Sequence, residues 1–215
     1  MSSKDSFYYQ IKYFASHGFC VIAPDFPGFG ASAALTGPWS VGDYADWLKK
    51  FIAASAAVRP HIIAHSFGAR VALKLLSRED IADRLVITGG AGIVKPRTAA
   101  YRRKVKLYRA VKTFAPRFAE SHFGSAEYRA LPPVMRGSYK LIVNEDLRSC
   151  ASRINNACLL VYGAEDAVTP PQEEGRIFSR LIPASRLCIV PGGHFCFSQY
   201  PEVFNRTVLS FITED

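Results

Sequence analysis

The sequence lacks the features that would assign it to a membrane or disulfide-stapled class of protein. No apolar run approaches the ~20 residues that a bilayer-spanning helix needs. The first ten residues, MSSKDSFYYQ, contain no apolar core, so we expect no signal peptide. The five cysteines are an odd number with no C-x-x-C pair and no zinc-ligand spacing. We therefore expect no disulfide framework, and a reducing, cytoplasmic setting. Nothing else in the sequence implies a metal or an organic cofactor.

Acidic residues are missing from one segment of this basic chain. The formal net charge is +9, and the nine cations between Lys95 and Arg117 account for all of it. These cations could attract an anionic substrate or an acidic membrane surface. Alternatively, they form a solvated face whose long side chains cover apolar surface. The segment has no recognised nucleic-acid motif, so no nucleic-acid partner is expected.

Apolar runs alternate with helical patterns along most of the 215 residues. Such alternation is typical of an α/β fold with a mostly parallel central sheet flanked by helices. Ser40 followed by Asp43 predicts the capped start of a helix that runs to about Ala57. Thr169 predicts an N-cap, with Pro170 at the first helical position. The predicted strands are 18–25, 60–65, 84–88, 157–162 and 186–190, and further helices are predicted over 68–77 and 202–212.

Residues 94–150 break this alternation. Tyr101, Val105, Tyr108 and Val111 are spaced four, three and three apart, which predicts the apolar stripe of a helix. We interpret this segment as a helical insertion. The core of the fold then comprises residues 1–93 and 151–215.

Three serines stand between small residues in the pattern small-x-Ser-x-small: Ser32, Ser55 and Ser66. Only Ser66, in IIAHSFGAR, lies at a predicted junction between a strand and a helix. A sharp turn there can raise the hydroxyl above the sheet, and the helix N-terminus offers N–H groups to an oxyanion. Ser66 is therefore a candidate nucleophile. The alternative is a serine that only caps the helix.

A serine nucleophile needs a base and a group that orients the base. His194 follows the last predicted strand in PGGHF, and Asp166 follows the preceding strand in GAEDAVTP, with Glu165 as a local rival. The carboxyl ends of parallel strands lie at one edge of a sheet, where binding sites collect. The order Ser, Asp, His therefore predicts a nucleophilic site. His65, next to the serine, is expected to point elsewhere.

Four motifs, PDFPGFGAS, IIAHSFGAR, LLVYGAEDAVTP and PGGHF, make the chain resemble the α/β-hydrolase superfamily along almost its whole length. The likeness is greatest to small bacterial hydrolases with a short helical lid, which include esterases and carbon–carbon bond hydrolases. It implies that Ser66 is the nucleophile, Asp166 the acid and His194 the base. It also implies that the backbone N–H of Phe67 is one oxyanion donor, that 94–150 is the lid, and that the substrate is a small molecule.

The chain departs from this pattern at its start. Members of the superfamily normally carry about three strands before the one predicted at 18–25, and the last of them leads to a His-Gly loop with the second oxyanion donor. That strand lies between the strands at Phe19 and His61. We therefore expect an N-terminally incomplete hydrolase, in which these two strands pair directly or leave unpaired backbone. Replacement of the first elbow glycine by Ala64 is a mild change.

The resulting prediction is a serine hydrolase that cleaves a small ester or a carbon–carbon bond. An acyltransferase could use the same three residues. The alternative is a catalytically impaired, truncated fragment or a non-enzymatic binding protein of the same fold.

Overall fold

The computed structural model describes residues 3–96 and 126–214, together with Arg103 and Thr113. This part of the chain contains a parallel four-stranded sheet in the order β1-β2-β3-β4. The predicted α/β class is confirmed, and each of these strands was predicted to within two residues. Their bounds are Ile62–His65 (β1), Leu85–Thr88 (β2), Cys158–Gly163 (β3) and Ser185–Val190 (β4).

Helices cover both faces of this sheet. Ser40 caps α2 as predicted, because its hydroxyl accepts the Asp43 N–H while the Asp43 carboxylate accepts the Ser40 N–H. The bounds are Tyr8–Ser16 (α1), Val41–Ala54 (α2), Phe67–Leu76 (α3), Ala126–Ala130 (α4), Pro133–Asn144 (α5), Arg148–Ala151 (α6), Arg176–Leu181 (α7), Cys196–Gln199 (α8) and Pro201–Ile212 (α9). A 3₁₀ turn at Lys4–Phe7 precedes α1, and a π-helical turn at Pro171–Gly175 precedes α7.

The core has two parts, one on each face of the sheet. On one face, α2, α3 and α7 bury Tyr44, Leu73 and Phe178. On the other, α1, α8 and α9 bury Phe14, Phe197 and Phe204. Because β2 and β3 are buried along their whole lengths, they consist of nearly continuous apolar runs. The candidate site thus lies at the carboxyl edge of a sheet whose two central strands are fully buried.

The strand predicted at 18–25 is wrong. Residues 19–26 have no regular secondary structure, and the side chains of Cys20 and Ile22 are exposed. The segment nevertheless runs alongside β1 in space. Phe19 contacts His61 at one end (ring centroids 6.3 Å apart), and Phe26 contacts Phe67 at the other (5.6 Å). Within the described residues it forms no hydrogen-bonded ladder with β1. An apolar run becomes a strand only when a neighbour satisfies its backbone groups.

The end of the predicted insertion is helical, in α4, α5 and α6. Buried Arg70 of α3 holds this segment to the core, because its guanidinium donates to the carbonyl oxygens of Ile142 (2.9 Å) and Glu145 (3.1 Å). The helical stripe predicted from Tyr101 to Val111 lies outside the described residues. So do most of the nine clustered cations.

Candidate active site

Ser66 occupies a sharp turn between β1 and α3. Its backbone has φ 48° and ψ −103°, a region that non-glycine residues rarely adopt and that costs about 1–3 kcal/mol. The turn is held by the Ser66 N–H, which donates to the carbonyl of Thr88 at the end of β2 (3.1 Å). The Ser66 side chain does not cap α3. The helix-cap alternative is therefore wrong, and the hydroxyl is left for another role.

The N-terminus of α3 lies directly after this serine. The N–H of Phe67, the first helical residue, has no acceptor among the described residues. Unpaired N–H groups at a helix N-terminus stabilise negative charge. Among the described residues, the Phe67 N–H is therefore free to donate to an anion.

Asp166 and His194 are hydrogen bonded to each other. The distance from Nδ1 of His194 to Oδ2 of Asp166 is 2.9 Å, and the Asp166 residue is only 3% exposed. Since a carboxylate only accepts, Nδ1 of His194 carries the proton. The other ring nitrogen, Nε2, then has a free lone pair with which it can accept a proton.

Asp166 is held as an anion. Its Oδ1 accepts the N–H groups of Val168 (2.8 Å) and Thr169 (2.9 Å), and its Oδ2 accepts the Thr169 hydroxyl (2.8 Å). Burial raises the pKa of Asp166, but the hydrogen bonds from Thr169 and His194 outweigh it and leave the pKa below its usual value. The predicted N-cap role of Thr169 is wrong, because its hydroxyl serves Asp166 and Pro170 is the residue that precedes the helical turn.

Two glycines let the His194 loop lie close to the sheet. A Cβ on Gly163, at the end of β3, would lie 2.2 Å from the carbonyl oxygens of Gly192 and Gly193. Gly89, which has φ 51°, follows β2, and a Cβ there would lie 3.0 Å from Nδ1 of His194. Any larger residue at these positions would displace the histidine from the aspartate.

Glu165 is the rival that the sequence left open, and the structure separates it from His194. Glu165 is exposed, and its contact with the loop is a hydrogen bond from its backbone N–H to the Gly192 carbonyl oxygen (2.9 Å). The carboxylate in contact with the histidine belongs to Asp166. Ser66 Oγ has no hydrogen bond to His194 or to any other described residue; catalytic hydrogen bonds often tighten only when substrate binds.

His65 was expected to point away from the site, and this is wrong. Its ring lies against that of His194, with centroids 4.6 Å apart, and its Nε2 is 3.0 Å from the His194 carbonyl oxygen. Sequence reasoning missed this contact because neighbours of a tight turn can point either way. Its place directly before the candidate nucleophile was the available signal.

A cavity of about 350 Å³ lies beside the site rather than in it. Its walls include Ile93, Glu174 and Ile177 but neither Ser66 nor His194. In the described residues no cluster of three or more His, Cys, Asp or Glu side chains could hold a metal ion. In the same part of the chain, no helix has the length and apolar character to cross a membrane.

A parallel sheet whose carboxyl edge carries a strained serine and a paired histidine and aspartate is typical of hydrolases. The chain belongs to the alpha/beta hydrolase family, whose sequence profile matches residues 2–207. It is 28% identical over 218 aligned positions to a Caulobacter sp. (strain K31) protein whose name assigns it as a carbamate hydrolase, RutD. That match covers 91% of this chain and 81% of the other.

Solved structures share the fold. An esterase from Exiguobacterium antarcticum superposes with a TM-score of 0.78 at 20% identity, over 99% of this chain and 88% of that one. A meta-cleavage product hydrolase from Pseudomonas fluorescens IP01 superposes with a TM-score of 0.71 at 20% identity, over 99% and 86% of the two chains. These likenesses show that the chain shares the fold of both enzymes.

Proposed function

We propose that this chain is a serine hydrolase that cleaves a small ester or a carbon–carbon bond next to a carbonyl group. Ser66 is the nucleophile, His194 the base and Asp166 the group that orients the base. The observation that carries the proposal is the 2.9 Å hydrogen bond between His194 and a buried Asp166, on the edge of the sheet where Ser66 has a strained backbone. Structural roles alone do not require this combination.

The chemistry follows from the protonation states. Nε2 of His194 takes the proton of the Ser66 hydroxyl as Oγ attacks the carbonyl carbon of the substrate. The Phe67 N–H donates to the oxygen that becomes negative. His194 then gives its proton to the leaving group, and water hydrolyses the acyl-serine in the same way. Asp166 stays ionised throughout and stabilises the positive charge on the imidazole.

The candidate substrates differ in the type of bond that is cleaved. The relative named as a carbamate hydrolase adds carbamates to the esters and carbon–carbon substrates expected from the sequence. A lid over 94–150 would shape the pocket, and its cations would favour a substrate with an acidic group.

The cysteines of the described chain are all free, which fits a reducing compartment such as the cytoplasm.

A substrate panel tests this function. The full chain would be assayed with p-nitrophenyl esters, an aryl carbamate and a 1,3-diketone, in which the bond from a carbonyl carbon to the central carbon can be cleaved because the leaving carbanion is an enolate. Ser66→Ala should abolish turnover of whichever class is accepted. Ser55→Ala, which removes a hydroxyl bonded only to the Ile52 carbonyl at the end of α2, should leave turnover unchanged. Equal activity of Ser66→Ala and the wild type would contradict the proposal.

The second candidate function is a binding protein of the same fold with impaired catalysis. The observation that favours it is the open edge of β1. On the side facing β2, the N–H groups of Ile62 and Ser66 donate to the carbonyl oxygens of Arg84 and Thr88. Because backbone groups alternate in direction along a strand, the N–H and C=O of Ile63 face the opposite edge of β1. Among the described residues, no strand pairs with that edge.

Titration with inert substrate analogues separates the two candidates. If the chain is only a binding protein, a non-hydrolysable ester analogue binds equally well to the wild type and to Ser66→Ala, and neither variant turns over any ester. If it is a hydrolase, the wild type releases alcohol from a cleavable ester, with an initial burst stoichiometric with the protein when deacylation is the slow step. A burst in the wild type excludes the binding-only function.

A further inference from the structure

His65 lies under the loop that carries the candidate base. Its ring contacts three others: His194 at 4.6 Å, Phe197 at 4.8 Å and Phe195 at 4.9 Å between centroids. It is fixed on β1 by the ladder to β2, where its partner is Thr88. The ring therefore projects from the last residue of β1 into the loop that follows β4.

A hydrogen bond joins this ring to the backbone of the base. Nε2 of His65 lies 3.0 Å from the carbonyl oxygen of His194. Since a carbonyl only accepts, Nε2 carries the proton and donates it. His194 is thus held at two points: its ring by Asp166 and its main chain by His65.

His65 stays neutral at physiological pH. Burial and the neighbouring His194 together lower the pKa of His65 to about 4, against the opposing effect of its hydrogen bond to the His194 carbonyl. A neutral ring suits this position. When His194 takes a proton, a second positive charge 4.6 Å away would oppose the transfer.

We propose that His65 is a positioning residue for His194: its Nε2–H bond to the His194 carbonyl sets the direction of the His194 ring toward Ser66. The inference rests on the proposed function, which it deepens. A packing role for His65 would need only an aromatic ring, whereas a positioning role needs its N–H donor. A misplacement of about 1 Å in such a site can cost about 10²-fold in rate.

Three substitutions separate the donor from the ring. His65→Phe keeps a ring and loses the donor. His65→Gln keeps an N–H at about the reach of Nε2, whereas His65→Asn has an amide that is too short. His17→Phe makes the same change as the first variant on an exposed ring at the end of α1, where it stacks on Tyr13, and serves as the control.

The first readout does not depend on activity. The proton between His194 Nδ1 and Asp166 should give a low-field ¹H resonance, assigned by its loss in His194→Gln. We expect this resonance in the wild type, His65→Gln and His17→Phe, and its loss or broadening in His65→Phe and His65→Asn. Its persistence in both of the latter variants would overturn the inference. If His65→Phe does not fold, the comparison of Gln with Asn decides.

The second readout is the rate at which a fluorophosphonate labels Ser66. It should fall about 10²-fold in His65→Phe and recover most of the loss in His65→Gln. A wild-type rate in His65→Phe would indicate packing, and equal losses in Phe and Gln would show that the donor does not restore the rate; either result would overturn the inference. If the wild type is not labelled but its low-field resonance still depends on the His65 donor, the proposed function fails and the positioning of His194 stands.

Discussion

Glu174 provides a quantitative test of the electrostatics around the site. Its residue is 6% exposed, in the π-helical turn after β3. Burial raises the pKa of this carboxyl group to about 7, although Lys95 and Arg70 act in the opposite direction. In the unfolded chain the pKa is about 4.3. The folded state therefore holds its proton more tightly, and stability present below about pH 4.5 is lost as the pH rises through 7.

The expected size follows from the gap between the two pKa values. At about 1.4 kcal/mol per pH unit, this gap corresponds to about 3.7 kcal/mol of stability, which is lost in full above pH 7. Glu174→Gln removes the charge and keeps the shape. Its free energy of unfolding relative to the wild type should thus be about 2–3 kcal/mol higher at pH 8 than at pH 5.

Urea unfolding, followed by circular dichroism at pH 5 and pH 8, measures this difference. Glu173→Gln is the matched control, because its carboxylate is exposed and pairs with Lys95 on the surface. Such a pair is worth at most about 1 kcal/mol, so the control should show little pH dependence. A Glu174→Gln variant that follows the wild type at both pH values would refute the reasoning.

Three further predictions concern single side chains. Asp166→Asn should lower kcat by about 10⁴, because an amide can stabilise the wrong tautomer of the histidine, whereas Glu165→Gln should leave kcat near the wild-type value; equal losses would contradict the assignment. The free energy of unfolding measured in urea should be about 1 kcal/mol higher for Ser66→Gly than for Ser66→Ala, since glycine relieves the strain at φ 48° that alanine retains; the reverse order would contradict strain at this position. In the native protein, iodoacetamide should modify exposed Cys20 and spare Cys158, whose pKa burial raises to about 12, as mass spectrometry can determine; a protected Cys20 would mean that residues 19–26 are covered.

The sequence predicted most of the sheet and the chain order of the candidate site. Continuous apolar runs such as Leu159-Leu160-Val161 indicate strands buried on both faces, and β3 is buried throughout. Because parallel strands end at the same edge, residues that follow them, such as Asp166 and His194, could be expected to meet. Their hydrogen bond confirms that expectation.

What the sequence could not predict depends on partners distant in the chain. The run at 18–25 has the composition of a strand, yet no described strand pairs with it, so it lies outside the sheet. Thr169 stands directly before a proline, which is a common pattern at a helix N-cap, but its hydroxyl donates to the Asp166 carboxylate instead. Which way His65 points is decided by the loop after β4, and no local pattern encodes that contact.

Peptide mapping after treatment with a fluorophosphonate tests the central claim, that Ser66 is a nucleophile activated by His194. In this reaction the serine oxygen forms a bond to phosphorus and fluoride leaves. We predict one phosphonylated site, at Ser66, in the wild type, much slower labelling in His194→Gln, and none at that peptide in Ser66→Ala. Labelling at another residue, or an unchanged rate in His194→Gln, would contradict it.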